Sequence, residues 1–79
     1  MKIEIIGRPN CKFCEQSKIL AHMKGVEFNY LVLDVDVSRE TVTQAVGHEF
    51  RTVPQIFDIE AGCYIGGYEE LVKYLNEQE

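Results

Sequence analysis

The chain has 79 residues, 46% of them apolar and 27% charged; this is ordinary globular composition, which excludes a collagen-like repeat, a disordered tail and a low-complexity array. Eight Lys and Arg against thirteen Asp and Glu leave a formal net charge of −5, so a phosphate backbone or an anionic membrane is repelled on average, and neither nucleic acid nor lipid is an expected partner. Residues 1–79 are expected to form one small domain, burying roughly 60% of the surface that the unfolded chain exposes, and to act as a monomer.

Lys2 to Ile6 alternates polar and apolar residues and reads as a short strand. Gly7-Arg8-Pro9-Asn10 breaks it with turn chemistry. Cys11 to Lys24 favours helix, with Gln16, Ile19, Leu20 and Met23 recurring at helical spacing, and Gly25 supplies the stop. Phe28 to Val35, rich in aromatic and β-branched residues, predicts a central strand buried on both faces. Ser38 is a credible N-cap for a helix over Arg39 to Val46, with Val42, Ala45 and Val46 facing inward and Gly47 closing it. Thr52 to Phe57 predicts a third strand, entered through a proline that cannot donate to a ladder. Asp58 to Gly62 turns the chain into a brief fourth strand, Cys63-Tyr64-Ile65. Gly66-Gly67 ends that strand, and Tyr68, Leu71, Val72 and Leu75 mark an amphipathic helix over Tyr68 to Asn76. The order β-α-β-α-β-β-α predicts an α/β fold: a four-stranded mixed sheet flanked by three helices, with a parallel first crossover and an antiparallel last pair.

No apolar run approaches the ~18 residues that a membrane-spanning helix needs. Met1 to Gly7 is too short and polar for a secretory signal, so a cytoplasmic location is expected. Three cysteines, Cys11, Cys14 and Cys63, are an odd number and argue against a fully paired disulfide scaffold. In a reducing compartment a closely spaced pair points to catalysis or metal binding.

Cys11-Lys12-Phe13-Cys14 stands where the first strand gives way to the first helix. The thiolate is the reactive form of cysteine, and unpaired N–H groups at a helix N-terminus favour it. Arg8 and Lys12 add positive charge as thiolate-stabilising candidates. Cys11, at the helix start, is the expected nucleophile; Cys14, one turn in, could attack a mixed disulfide on Cys11. Zinc is the competing reading, but beyond this pair only Cys63, His22 and His48 remain, and the histidines lack the spacing of a finger, so no metal is expected. Inert core thiols are the third reading.

Thr52-Val53-Pro54 is compatible with a cis or an ordinary trans proline. In the cis case the Val53 backbone would face an extended peptide-like ligand. Gly66-Gly67-Tyr68-Glu69-Glu70 leaves N–H groups uncovered at a helix start, a place for a carboxylate, with an acidic side chain beside it for an ammonium. Taken alone, it is equally a turn followed by dipole-favoured acidic residues.

In combination and in this order, Cys11-Lys12-Phe13-Cys14, Thr52-Val53-Pro54-Gln55-Ile56-Phe57 and Ile65-Gly66-Gly67-Tyr68 resemble the glutaredoxins, of thioredoxin-like fold, over essentially the whole chain. The resemblance implies a glutathione-dependent thiol–disulfide oxidoreductase, with a cis Pro54, Cys11 as nucleophile and Cys14 as resolving thiol. It implies a glutathione groove of Arg8, Phe13, Arg51, Thr52, Val53, Pro54, Gly67, Tyr68, Glu69 and Glu70. Within it, Val53 pairs with the cysteinyl part, Gly67 to Glu70 hold the γ-glutamyl end, and Arg8 or Arg51 meets the glycyl carboxylate. Glutathione is the implied reductant, at family potentials of roughly −200 to −230 mV. The implied substrates are disulfide-containing or glutathionylated proteins, ribonucleotide reductase among them. Lys12 and Phe13 depart from the Pro and Tyr common in the family. Lys12 keeps an N–H that proline lacks, and it leaves open iron–sulfur ligation by Cys11 with glutathione. A hydrogen donor served by thioredoxin reductase is the other alternative. Cys63 has no implied role and reads as a free thiol on an edge strand. His22, His48 and Glu77-Gln78-Glu79 read as solvated surface.

Overall fold

The computed structural model describes residues 1–78; Glu79, expected on a solvated face, lies outside them. Seven elements follow in the expected order: β1 (Lys2–Gly7), α1 (Lys12–Met23), β2 (Glu27–Val32), α2 (Arg39–Val46), β3 (Gln55–Asp58), β4 (Cys63–Gly66) and α3 (Tyr68–Glu77). The sheet order is β2-β1-β3-β4. β1 runs parallel to β2 and antiparallel to β3, and β4 returns antiparallel to β3. This is the thioredoxin-like architecture.

Period-two alternation sends Ile3 and Ile5 of β1 to one face of the sheet and Ile6 to the other. On the first face Ile3, Ile5 and Ile56 pack with Ala21 of α1 and with Leu71 and Leu75 of α3. On the second, Ile6, Leu33 and Phe50 pack with Val42 of α2. Ser38 caps α2 as its sequence position predicts, accepting the Thr41 N–H at 3.1 Å.

Several expectations are corrected. β2 lies at an edge of the sheet, and β1 is a central strand. The apolar residues of β2 are half-buried because helices cover both faces, with Phe28 and Tyr30 on one side and Leu31 on the other. β2 also stops at Val32, before the predicted Val35. There the Val32 N–H is bonded to the Asp36 carboxylate at 2.8 Å, and Asp34 turns through a positive φ of 66°. Second, the inner face of α1 is Cys14, Ser17 and Ala21, whereas Ile19 and Met23 are 58% and 77% exposed. Small side chains at i, i+3 and i+7 let this helix lie close on the sheet. Third, β3 begins at Gln55 opposite Ile6, and Thr52 to Pro54 form a loop. In α2, Ala45 is exposed, and Val42 is the helix's buried residue.

Asp58, 4% exposed, ties the far end of the sheet to α3. It accepts the Tyr74 hydroxyl at 2.5 Å and the Glu60 and Ala61 N–H groups at 3.1 and 2.9 Å. Burial pushes its pKa up, but the hydrogen bonds from Tyr74, Ala61 and Glu60, with the N-terminal charge, outweigh burial and hold it below the ordinary value. The same bond, with Cys63 beside it, pushes the Tyr74 phenol well above its usual range. A carboxyl group with a depressed folded pKa stabilises the fold above its unfolded value, and that contribution is lost as pH falls through the folded one. Wild type is therefore expected to lose stability below about pH 4. Asp58→Asn should be flatter across that window and less stable at neutral pH by roughly 1–3 kcal/mol. Urea unfolding at a series of pH values checks both slopes.

Candidate active site

β1 ends against a side chain that fixes the path of the next turn. A Cβ at Gly7 would fall 2.2 Å from the Tyr30 hydroxyl, so Tyr30 of β2 crosses directly over the glycine. That hydroxyl donates to the Arg8 carbonyl at 3.2 Å, and burial raises its pKa. Asn10 then takes a left-handed turn at φ 58°, tolerated by asparagine better than by most residues. Cys11 follows in extended backbone as the N-cap of α1.

The cap atom is the Cys11 sulfur, which accepts the Cys14 N–H at 3.2 Å. A helix start is electropositive, so this geometry favours negative charge on the sulfur. Cys11 and Cys14 form a disulfide with their Cα atoms 5.2 Å apart. Cys14 is fully buried, and Cys11 is half-exposed. Buried Ser17, one turn on, donates to the Phe13 carbonyl at 2.7 Å and satisfies its own hydroxyl inside the core. Arg8 and Lys12, flanking the sulfur in sequence, are exposed and form no ion pair among the described residues.

Beside this sulfur opens a cleft of about 420 Å³ lined by Phe13, Thr52, Val53, Pro54, Gly67, Tyr68, Glu69 and Glu70. The Val53–Pro54 bond is cis, and the Val53 carbonyl lies 3.8 Å from the Cys11 sulfur. Phe13 and Tyr68 face one another across the opening with ring centroids 5.8 Å apart. The first turn of α3 forms the other wall, where the N–H groups of Tyr68 and Glu69 have no partner within their helix. Gly66 holds φ 128°, and a Cβ there would lie 2.8 Å from Glu70 Cγ, so only glycine fits.

Eight of the ten residues expected on the groove thus share one cleft. Arg8 and Arg51 do not line it; both are exposed beside it, Arg51 two residues before Val53. Glu70, on the cleft as expected, also has a structural partner. Its carboxylate accepts the Gly67 N–H at 2.9 Å, which caps α3 and leaves that N–H already engaged. Gln55 and Tyr64 were not anticipated. Buried Gln55 donates to the Thr52 carbonyl at 2.8 Å and accepts the Tyr64 hydroxyl. Cys63 is free and exposed on edge strand β4, 3.7 Å from the Tyr74 hydroxyl.

The glutaredoxin family profile matches residues 3–60. The chain is 36% identical to a glutaredoxin of Haemophilus influenzae over 84 residues, covering 99% of this chain and 94% of that protein. It is 39% identical over 72 residues to the hybrid peroxiredoxin hyPrx5 of the same organism, where it spans 91% of this chain but 28% of the relative. Among solved structures, reduced Escherichia coli glutaredoxin superposes with a TM-score of 0.82 at 29% identity, covering 98% and 95% of the two chains.

Exposure and position separate the three thiols in the reduced protein. Near neutral pH, iodoacetamide should modify Cys11 at least roughly tenfold faster than Cys14 or Cys63. Peptide mapping after short exposures gives the order, and fastest labelling at Cys63 would contradict it.

Proposed function

The chain belongs to the glutaredoxin family and is a thiol–disulfide oxidoreductase; from that premise we propose that glutathione is its reductant and that the cleft beside Cys11 binds it. One observation carries the reading. The cleft presents backbone polar groups on two opposed walls within reach of a nucleophilic sulfur, which suits a small peptide with charged ends.

In this reading the Cys11 thiolate attacks a sulfur of the substrate disulfide. A new S–S bond forms to Cys11, and the leaving sulfur departs as thiolate and takes a proton from solvent. With a glutathionylated substrate, the protein thiol leaves and Cys11 carries the glutathionyl group. A second glutathione thiolate then attacks that group's sulfur, releasing oxidised glutathione and the Cys11 thiolate. With a protein disulfide, Cys14 attacks the Cys11 sulfur and expels the substrate as a dithiol, leaving the Cys11–Cys14 disulfide. Two glutathiones in succession restore the dithiol and leave as oxidised glutathione, so this route consumes two glutathione thiols and the first route consumes one.

Val53 pairs its backbone with the cysteinyl residue of glutathione, as strand addition does. The Tyr68 and Glu69 N–H groups take the γ-glutamyl carboxylate at the positive end of α3, and the Glu69 carboxylate accepts from the ammonium. Phe13 and Tyr68 enclose the apolar middle. The glycyl carboxylate is left for Arg8 or Arg51 at the mouth. Glu70 acts on the ligand indirectly, by capping α3. Substrates are glutathionylated proteins and protein disulfides, with ribonucleotide reductase as one target. The hybrid peroxiredoxin relative favours a second target, the oxidised cysteine of a peroxiredoxin-type protein. The working form is a cytoplasmic monomer.

The test is reduction of a small glutathione mixed disulfide, coupled through glutathione reductase to NADPH. Wild type and Cys14→Ser should turn over, and Cys11→Ser should fall to background. Turnover that needs thioredoxin reductase and ignores glutathione would sink the reading.

A further inference from the structure

Behind the cleft wall, on the sheet face that carries α2, three residues make a hydrogen-bonded chain that ends on the ligand-facing loop. Gln55, Phe57 and Tyr64 share that face. Tyr64 lies opposite Phe57 in the ladder, its ring 5.3 Å from the phenylalanine and 6.5 Å from His48. The Tyr64 hydroxyl donates to Gln55 Oε1, and Gln55 Nε2 donates to the Thr52 carbonyl at 2.8 Å. Gln55 is buried, so it cannot trade either bond for water without cost. With Oε1 held by the phenol, the amide has one orientation, and its NH₂ is aimed at Thr52.

The consequence follows from peptide planarity. The Thr52 carbonyl and the Val53 N–H belong to the same trans peptide unit, in which they point in opposite directions. Gripping the carbonyl from the α2 side therefore directs the Val53 N–H away from that side. The same residue's carbonyl already lies 3.8 Å from the Cys11 sulfur.

We propose that Tyr64 and Gln55 are positioning residues for glutathione: together they fix the Thr52–Val53 peptide so that the Val53 N–H is presented to the ligand backbone. Neither residue lines the cleft, so the effect is on the geometry of binding and leaves the thiol untouched. The proposal rests on glutathione being the ligand.

Tyr64→Phe removes one hydroxyl from a partly exposed ring and keeps the packing on Phe57. In the full reduced chain it should raise the KM for glutathione and for a small glutathione mixed disulfide by roughly three- to tenfold. The kcat and the rate of Cys11 alkylation should stay at the wild-type value. Gln55→Glu keeps the acceptor for Tyr64 and loses the donor to Thr52; it should raise KM at least as far. The double variant should be no worse than Gln55→Glu, because the phenol acts only through the amide. Amide hydrogen exchange at Val53, measured without ligand, should quicken in both single variants relative to Leu71 in α3. An unchanged KM with unchanged Val53 exchange overturns the proposal, as does a fall in Cys11 alkylation that accounts for the loss. Absence of glutathione turnover in wild type defeats the functional reading instead, and Val53 exchange then decides by itself whether the pair aims this amide.

Discussion

The proposed nucleophile, Cys11, is also the cap of the first helix. Serine, threonine or aspartate usually supplies that bond, worth roughly 0.5–2 kcal/mol; here the Cys11 sulfur takes the Cys14 N–H. Reactivity and local folding thus use the same geometry, and anything that displaces the sulfur also uncaps α1. The surroundings protect this arrangement. Tyr30 crosses Gly7 and holds the Arg8 carbonyl, fixing where the chain leaves β1. Ser17 bonds the Phe13 carbonyl from the buried side, fixing the helix's first turn from within. In the disulfide state the sulfur still accepts the N–H, so oxidation does not require the cap to be given up.

Two helix N-termini border the cleft: α1 brings the sulfur, and α3 brings the N–H groups of its first turn. Two positive dipole ends alone would suit a simple anion. Glu69 and Glu70 change that, because the cleft then offers carboxylates beside the donors. A ligand carrying both an ammonium and a carboxylate matches this pairing better than an anion does. Glu70 accepts the Gly67 N–H on one carboxylate oxygen, and Glu69 stands beside it on the same wall of the cleft. The long-range anchor of this region is Asp58, which joins β3 and the following turn to Tyr74 and so keeps α3 from rolling on the sheet.

What could be read from the sequence was what depends on neighbours in the chain. Cys11 to Cys14, Thr52 to Pro54 and Gly66 to Glu70 are local signals, and the fold brings them to one cleft. The order of elements was readable for the same reason. The inner face of α1 does not follow the large apolar residues, since Ile19 and Met23 are exposed and close approach to the sheet selects Ser17 and Ala21. β2 was misread as central because apolar content reports how well the faces are covered and says nothing of how many strands lie alongside. The Tyr64–Gln55 pair was out of reach for a third reason. Between the pairs Ile56–Gly66 and Phe57–Tyr64 the ladder slips, because Ile65 has no counterpart on β3. One extra residue reverses which side chains share a face, and no local pattern in Cys63 to Gly66 announces it.

In the proposed glutathione site, recognition through backbone groups would tolerate a change in the motif between the cysteines. If the ligand reads N–H and C=O groups on both walls, then Lys12 and Phe13 in place of proline and tyrosine alter the rim more than the binding geometry. The residues that cannot change are those that aim the backbone. Gly66 is one, since its φ of 128° and the 2.8 Å approach of Glu70 exclude any Cβ. Glu70 contributes as well, because its carboxylate caps the start of α3. Gly66 is buried at the end of β4, and Glu70 stands exposed on the cleft wall, where its carboxylate holds the Gly67 N–H. In the proposed site, side chains that touch the ligand and side chains that only aim the backbone, such as Gln55 behind Thr52, therefore share the work of specificity.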